Sequence, residues 1–100
     1  MQRLDDILET LASTTDGKIG YLKLAKRLGV FSARLSPLLE ERMQRDHLAG
    51  HPLVSVLAVS SQTGEPSSGF FDAASRLGYT WQTAQAFATQ QQQNSRRFYS

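Results

Sequence analysis

His47 and His51 stand four residues apart. On a continuous helix that spacing brings two imidazoles to one metal ion. Gly50 and Pro52 interrupt any helix there, and Asp46 is the sole neighbour of ligating type. The two histidines therefore read as a helix-end and a loop residue, and no metal is expected. The segment Gly64-Glu65-Pro66-Ser67-Ser68-Gly69 follows a β-rich run and precedes a helical pattern, the setting of a phosphate-binding loop. Phe70 and Phe71 occupy the positions where such a loop needs Lys and Ser or Thr. An ordered connection fits better, with Ser68 as a cap and Phe70 entering the core. Ser60 and Ser61 lie in no nucleophile-elbow motif, and the carboxylates are scattered over polar positions. Acid–base work needs groups held within hydrogen-bond reach. No enzymatic activity and no cofactor are expected.

The cations are better organised. The net charge is only +2, but it is unevenly distributed. Residues 1–16 sum to −3 through Asp5, Asp6, Glu9 and Asp16 against Arg3. Residues 17–45 sum to +5, with Lys18, Lys23, Lys26, Arg27, Arg34, Arg42 and Arg45 against Glu40 and Glu41. Residues 46–75 return to −3, and the remainder, with Arg76, Arg96 and Arg97, carries +3. A basic block attracts phosphate when it folds into one face. In a helix-turn-helix the second helix enters the major groove while flanking cations hold phosphates. That division makes Arg34, Arg42 and Arg45 the groove candidates and Lys18, Lys23, Lys26 and Arg27 the phosphate candidates. Glu40 and Glu41, beside Arg42, work against it.

The elements that must position these residues follow from periodicity. Leu4, Ile7, Leu8 and Leu11 form one stripe of a helix over about Arg3–Ser13. Asp5 and Asp6 lie at its start, where the dipole favours them. Thr14-Thr15-Asp16-Gly17 is a turn cluster, and Lys18–Gly20 a minimal strand. A second helix covers Tyr21–Leu28, with Tyr21, Leu24, Ala25 and Leu28 inward and Gly29 as a left-handed terminator. The third lies between Ser32 and His47. Pro37 favours an irregular turn through Ser32–Leu35 and a main helix from Pro37 onward, capped by Ser36. Leu53–Val59 reads as the one convincing strand, covered on both faces and paired with Lys18–Gly20 or with a second subunit. After the polar Ser60–Gly69 loop come a short helix ending at Gly78 and another capped by Thr80. The last helix, carrying Trp81, Ala84, Phe87 and Ala88, is expected to fray through Gln90–Asn94.

"GKIGYLKLAKRLGV" resembles the second helix of winged helix-turn-helix domains, including the small domain of DNA alkyltransferases. The resemblance spans about residues 3–60. It implies a winged-helix-like three-helix core and a non-catalytic binding role. The alkyltransferase Pro-Cys-His-Arg motif is absent, so that reaction is not implied. "PLVSVLAVSSQTGEPSSGFFDAASRLGY" is similar to a Pro-Leu…Val…Gly-x-Pro-x-x-Gly-Phe-Phe pattern of small bacterial and phage proteins, and implies no activity. Where a winged helix would return as a strand, residues 69–74 read as helix.

One hundred residues make one domain, with an apolar complement sufficient for a core. The absence of cysteine removes disulfides and thiolate metal sites, and fits a reducing compartment. Met1–Asp6 lacks the apolar run of a signal peptide, and no stretch is long enough for a membrane span. The expectation is a cytoplasmic, mainly α fold with a small β element (α+β). Residues 1–60 would form the winged-helix-like core, with 61–100 supplying a loop and two C-terminal helices packed on the same domain. Its first expected partner is nucleic acid, duplex DNA above all. The alternative is a protein-interaction adaptor, or a phage- or defence-associated inhibitor. It would use the 60–71 loop, the edge of Leu53–Val59 (which could also pair across a homodimer), and Phe70, Trp81, Phe98 and Tyr99.

Overall fold

The computed structural model describes residues 3–14 and 17–100. It is mainly helical with one small sheet. In chain order the elements are α1 (Leu4–Thr14), β1 (Ile19–Gly20), α2 (Tyr21–Leu28), α3 (Ser32–Ala49), a 3₁₀ turn (Val54–Leu57), β2 (Ala58–Val59), α4 (Ser68–Arg76) and α5 (Ala84–Tyr99). β1 and β2 pair in parallel, Ile19 opposite Ala58 and Gly20 opposite Val59. No β-hairpin occurs among the described residues. The expected turn at Thr14–Gly17 includes Thr15 and Asp16, which lie outside the described residues.

α1 and α2 follow their apolar stripes. Ile7, Leu8 and Ala12 are buried from α1, and Leu24, Ala25 and Leu28 from α2. α2 and α3 end alike. Gly29 (φ 69°) and Gly50 (φ 74°) adopt the left-handed conformation that a side chain would strain. Beyond each, the chain bonds back to the last turn: Val30 N–H to the Ala25 carbonyl at 3.1 Å, and His51 N–H to the Asp46 carbonyl at 2.8 Å. Three residues, Gly29 to Phe31, connect the two helices.

Several expectations about elements are corrected. First, α3 runs unbroken from Ser32 with Pro37 inside it. At this sixth position the proline deprives only the Ala33 carbonyl of its helical donor, and Ala33 is exposed, where solvent can reach that carbonyl. Second, Leu53–Val59 is not a long strand. Its middle is the 3₁₀ turn, and just two residues pair with β1. All seven are buried, so no exposed strand edge exists here. A segment crossing the centre of a core is apolar on every side, and periodicity cannot then separate strand from helix. Third, α5 starts at Ala84, with the Thr83 hydroxyl accepting from Ala86 N–H at 3.1 Å, rather than at a Thr80 cap. It continues as helix through the glutamines to Tyr99. Likewise α4 is preceded by Ser67, not Ser68, at its cap position, without a capping side-chain bond.

One hydrophobic cluster draws on every part of the chain. Leu8, Leu24, Met43, Leu53, Val54, Val56, Leu57 and Ala74 are at its centre, and Phe70, Phe87 and Ala88 close it from α4 and α5. Around Phe87 an aromatic group gathers. Trp81 stacks on it at 4.6 Å between ring centroids, with Tyr79 at 5.8 Å and Phe71 at 6.5 Å. α5 packs along α1 and against the 3₁₀ turn.

The 3₁₀ turn carries backbone N–H groups into the core, and buried donors need partners. Side chains provide them. Gln91 Oε1 accepts from Leu53 N–H at 2.9 Å, and Asp46 Oδ2 from Val54 N–H at 3.3 Å. Gln91→Ala should lower stability by about 1–3 kcal/mol, the cost of an unpaired buried N–H. Gln90→Ala, at an exposed position, should leave it within about 0.5 kcal/mol. Urea unfolding of both variants makes the comparison.

Candidate functional site

The basic block separates into two groups once folded. Arg42 belongs to the inner face of α3, between Leu35 and Asp46, and is only 4% exposed. Its guanidinium donates to Glu9 at 2.6 Å, to Asp46 at 3.1 Å and to the Tyr99 hydroxyl at 2.7 Å, and pairs with Asp5 at 2.9 Å. One side chain thus ties α1, α3 and α5. Burial opposes the cation, but the bonds it donates to Asp46, Glu9 and Asp5 outweigh that and raise its pKa. Burial pushes the Asp46 carboxyl up, against the pull of Arg42. Asp5 is held at about 2, chiefly by its bond from Arg45, with burial opposing and Arg42 adding to the effect.

Arg42 is therefore withdrawn as a groove contact, because nucleic acid cannot reach it without opening the core. Arg45 reaches the surface but is engaged, bonding Asp5 at 2.9 Å and lying 3.9 Å from Glu41. The acidic α1 has its partner in α3. Sequence reasoning assigned Asp5 to the helix dipole and missed this pairing. The usable signal was the combination of Asp5 and Glu9 four apart on α1 with Arg42 and Asp46 four apart on α3.

The second group is different. Lys23, Lys26 and Arg27 lie on the outer face of α2, and Arg34 lies in the first turn of α3. All four are exposed, and none forms an ion pair among the described residues. From residue 17 to residue 39 the sequence contains no Asp or Glu. Two apolar side chains stand out in the same region, Leu22 at 70% exposure and Phe31 at 85%. Phe31 lies in the turn between Arg27 and Arg34. Lys18 is also exposed, and donates to the Gly64 carbonyl at 3.2 Å, bracing the loop after β2.

The residues expected to meet a protein partner are mostly internal. Phe70 is buried in the core, so it is no contact residue. Trp81 is half-buried against Phe87, and the Tyr99 hydroxyl is bound by Arg42. Phe98 alone remains substantially exposed, at 49%, with its ring 4.6 Å from that of His51. The 60–69 loop closes on itself. Ser60 N–H bonds the Glu65 carbonyl, and Gly64 N–H the Ser60 carbonyl, each at 2.8 Å. His47 faces Tyr79, Nδ1 to hydroxyl, at 3.1 Å. Among the described residues no three His, Cys, Asp or Glu side chains group as metal ligands, and no helix is long and apolar enough to cross a membrane.

No family model, curated protein or solved structure matches this chain.

The Arg42 cluster sets two expectations. Arg42→Ala leaves the buried Asp46 carboxylate without its cation and should cost about 3–5 kcal/mol. Arg45→Ala, at a half-exposed pair, should cost under about 1 kcal/mol. The carboxyl of Asp5 is more acidic folded, at about 2, than its ordinary 3.8. Protons then bind the unfolded chain more readily. The stability Asp5 contributes is present above about pH 4 and disappears as pH falls toward 2. Asp5→Asn should flatten that part of the stability–pH curve, read from urea midpoints at successive pH values.

Proposed function

We propose that the chain is a non-catalytic nucleic-acid-binding module that holds duplex DNA on the outer face of α2 and the first turn of α3. One observation carries this reading: Lys23, Lys26, Arg27 and Arg34 are exposed and, among the described residues, without carboxylate partners, on a stretch that contains no acid. Two helices joined by a three-residue, glycine-containing turn fit the helix-turn-helix outline. Phosphate binding needs cations that are not already neutralised, and carboxylate-free surroundings keep the local potential positive. Lys23, Lys26 and Arg27 take the phosphate role. Arg34, at the N-terminal end of the second helix, is where such motifs present residues to base edges. Arg42 and Arg45 have no part in it. The exposed Phe31 adds an aromatic surface between the two groups of cations.

The protein-partner reading rests on Phe98, half-exposed on α5 and set against His51. It would use a surface made by the end of α3 and the end of α5. Phe98→Ala would then release a bound protein and leave DNA affinity unchanged.

Binding through about three phosphate contacts gives a log–log salt slope near −2.7. Affinity for duplex DNA should accordingly fall about fortyfold between 50 and 200 mM salt. The triple variant Lys23→Ala, Lys26→Ala, Arg27→Ala should remove nearly all of that slope, while Arg45→Ala leaves it unchanged. Fluorescence anisotropy with a labelled duplex reads both. Salt-independent affinity, or a triple variant that binds as the parent does, overturns the reading.

A further inference from the structure

We propose that the cavity between α3 and the start of α4 is a binding site for a small neutral ring compound with a hydrogen-bond acceptor on one edge. It is separate from the cations of α2 and does not depend on the nucleic-acid reading.

The cavity measures about 210 Å³. An apolar cavity of about 150 Å³ takes benzene, so this one has room for a six-membered ring and one substituent. Its floor is Leu35, Leu39, Met43 and Phe70. Leu35, Met43 and Phe70 are buried core residues and Leu39 is half-buried, so the floor is fixed by the fold before any ligand arrives.

The wall is hydroxylic. Ser36 and Ser67 both line it, and Tyr21 closes one side. The Tyr21 oxygen accepts from Ser67 N–H at 2.7 Å, which leaves its own proton to donate. Ser55, by contrast, already donates to the Leu39 carbonyl at 3.2 Å. The hydroxyls of Tyr21, Ser36 and Ser67 can each donate a proton to a carbonyl or similar acceptor. Charge points to a neutral ligand. Among the lining residues there is no Lys or Arg, and the one acid, Glu40, is held by Arg76 at 3.0 Å.

Gly69 gives an independent reason to see a site. It lies in the first turn of α4, with no backbone angle that requires glycine. Alanine would be the better helix former. A methyl group placed there would sit 3.6 Å from Ser67 Oγ and 4.0 Å from Ser36 Oγ, in ordinary contact with both. What the glycine supplies is room between the two hydroxyls. A ligand's polar edge would use that room.

Benzamide, toluene and benzoate test this by titration into ¹⁵N-labelled protein, followed by amide shifts. Benzamide should give saturable shifts at Ser36, Ser67 and Gly69, with toluene weaker by about tenfold. Gly69→Ala should weaken benzamide by a similar factor while its melting temperature stays level or rises, which separates lost room from lost fold. The absence of saturable shifts at these residues overturns the site. So does a Gly69→Ala variant that is well folded and binds as before. Benzoate binding more tightly than benzamide overturns the neutral class, and toluene matching benzamide overturns the role of the hydroxyl wall.

Discussion

Arg42 is the pivot of this molecule. A guanidinium in the interior is costly unless nearly all its donors are met and its charge is balanced. Here α1 supplies Asp5 and Glu9, α3 supplies Asp46, and α5 supplies the Tyr99 hydroxyl. Those partners come from widely separated parts of the chain, so satisfying one buried cation fixes how three helices sit. Asp46 extends the arrangement inward by accepting from Val54 N–H, which joins the charged cluster to the 3₁₀ turn at the centre of the core. Apolar packing provides the bulk of the burial. The ionic cluster chooses among the ways of packing, because a slipped α1 or α5 would strand a charge.

The same cluster clarifies the surface. Asp5 and Glu9 of α1 are taken up by Arg42 and Arg45 of α3, and among the described residues nothing pairs with the cations near the α2–α3 turn. A modest overall charge therefore hides a strongly divided molecule. The division follows α3 itself, whose first turn carries an unpaired arginine and whose later turns carry paired ones.

The legible parts of the fold were those set by local rules. The apolar stripes of α1 and α2 and the glycine that ends α2 could be read from spacing and residue type, and Lys18–Gly20 was one of two partners considered for the segment that contains Ala58–Val59. Helix content with a small β element followed from them. What could not be read was set by distant partners. Val54–Leu57 looks like strand because every position is apolar, and its 3₁₀ form depends on acceptors from Asp46 and Gln91. The glutamine tract looks solvated because its composition is polar, yet Gln91 has a buried backbone to satisfy. Arg42 looks like one more surface cation until Asp5 and Glu9 are brought beside it. The outward phase of Lys23, Lys26 and Arg27 on α2 was legible, whereas Arg34, read in an irregular turn, was not placed by phase. The internal places of Phe70, Trp81 and Tyr99 were not legible, since aromatic type alone does not say which side of the surface a ring occupies.

The bond between Gln91 and the Leu53 amide spans most of the second half of the chain. On a ribosome, residues 1–60 emerge well before α5. The nascent polypeptide must hold its central segment without that acceptor, and without the tyrosine that completes the shell of Arg42. The interior closes only once α5 has reached both Leu53 and Arg42.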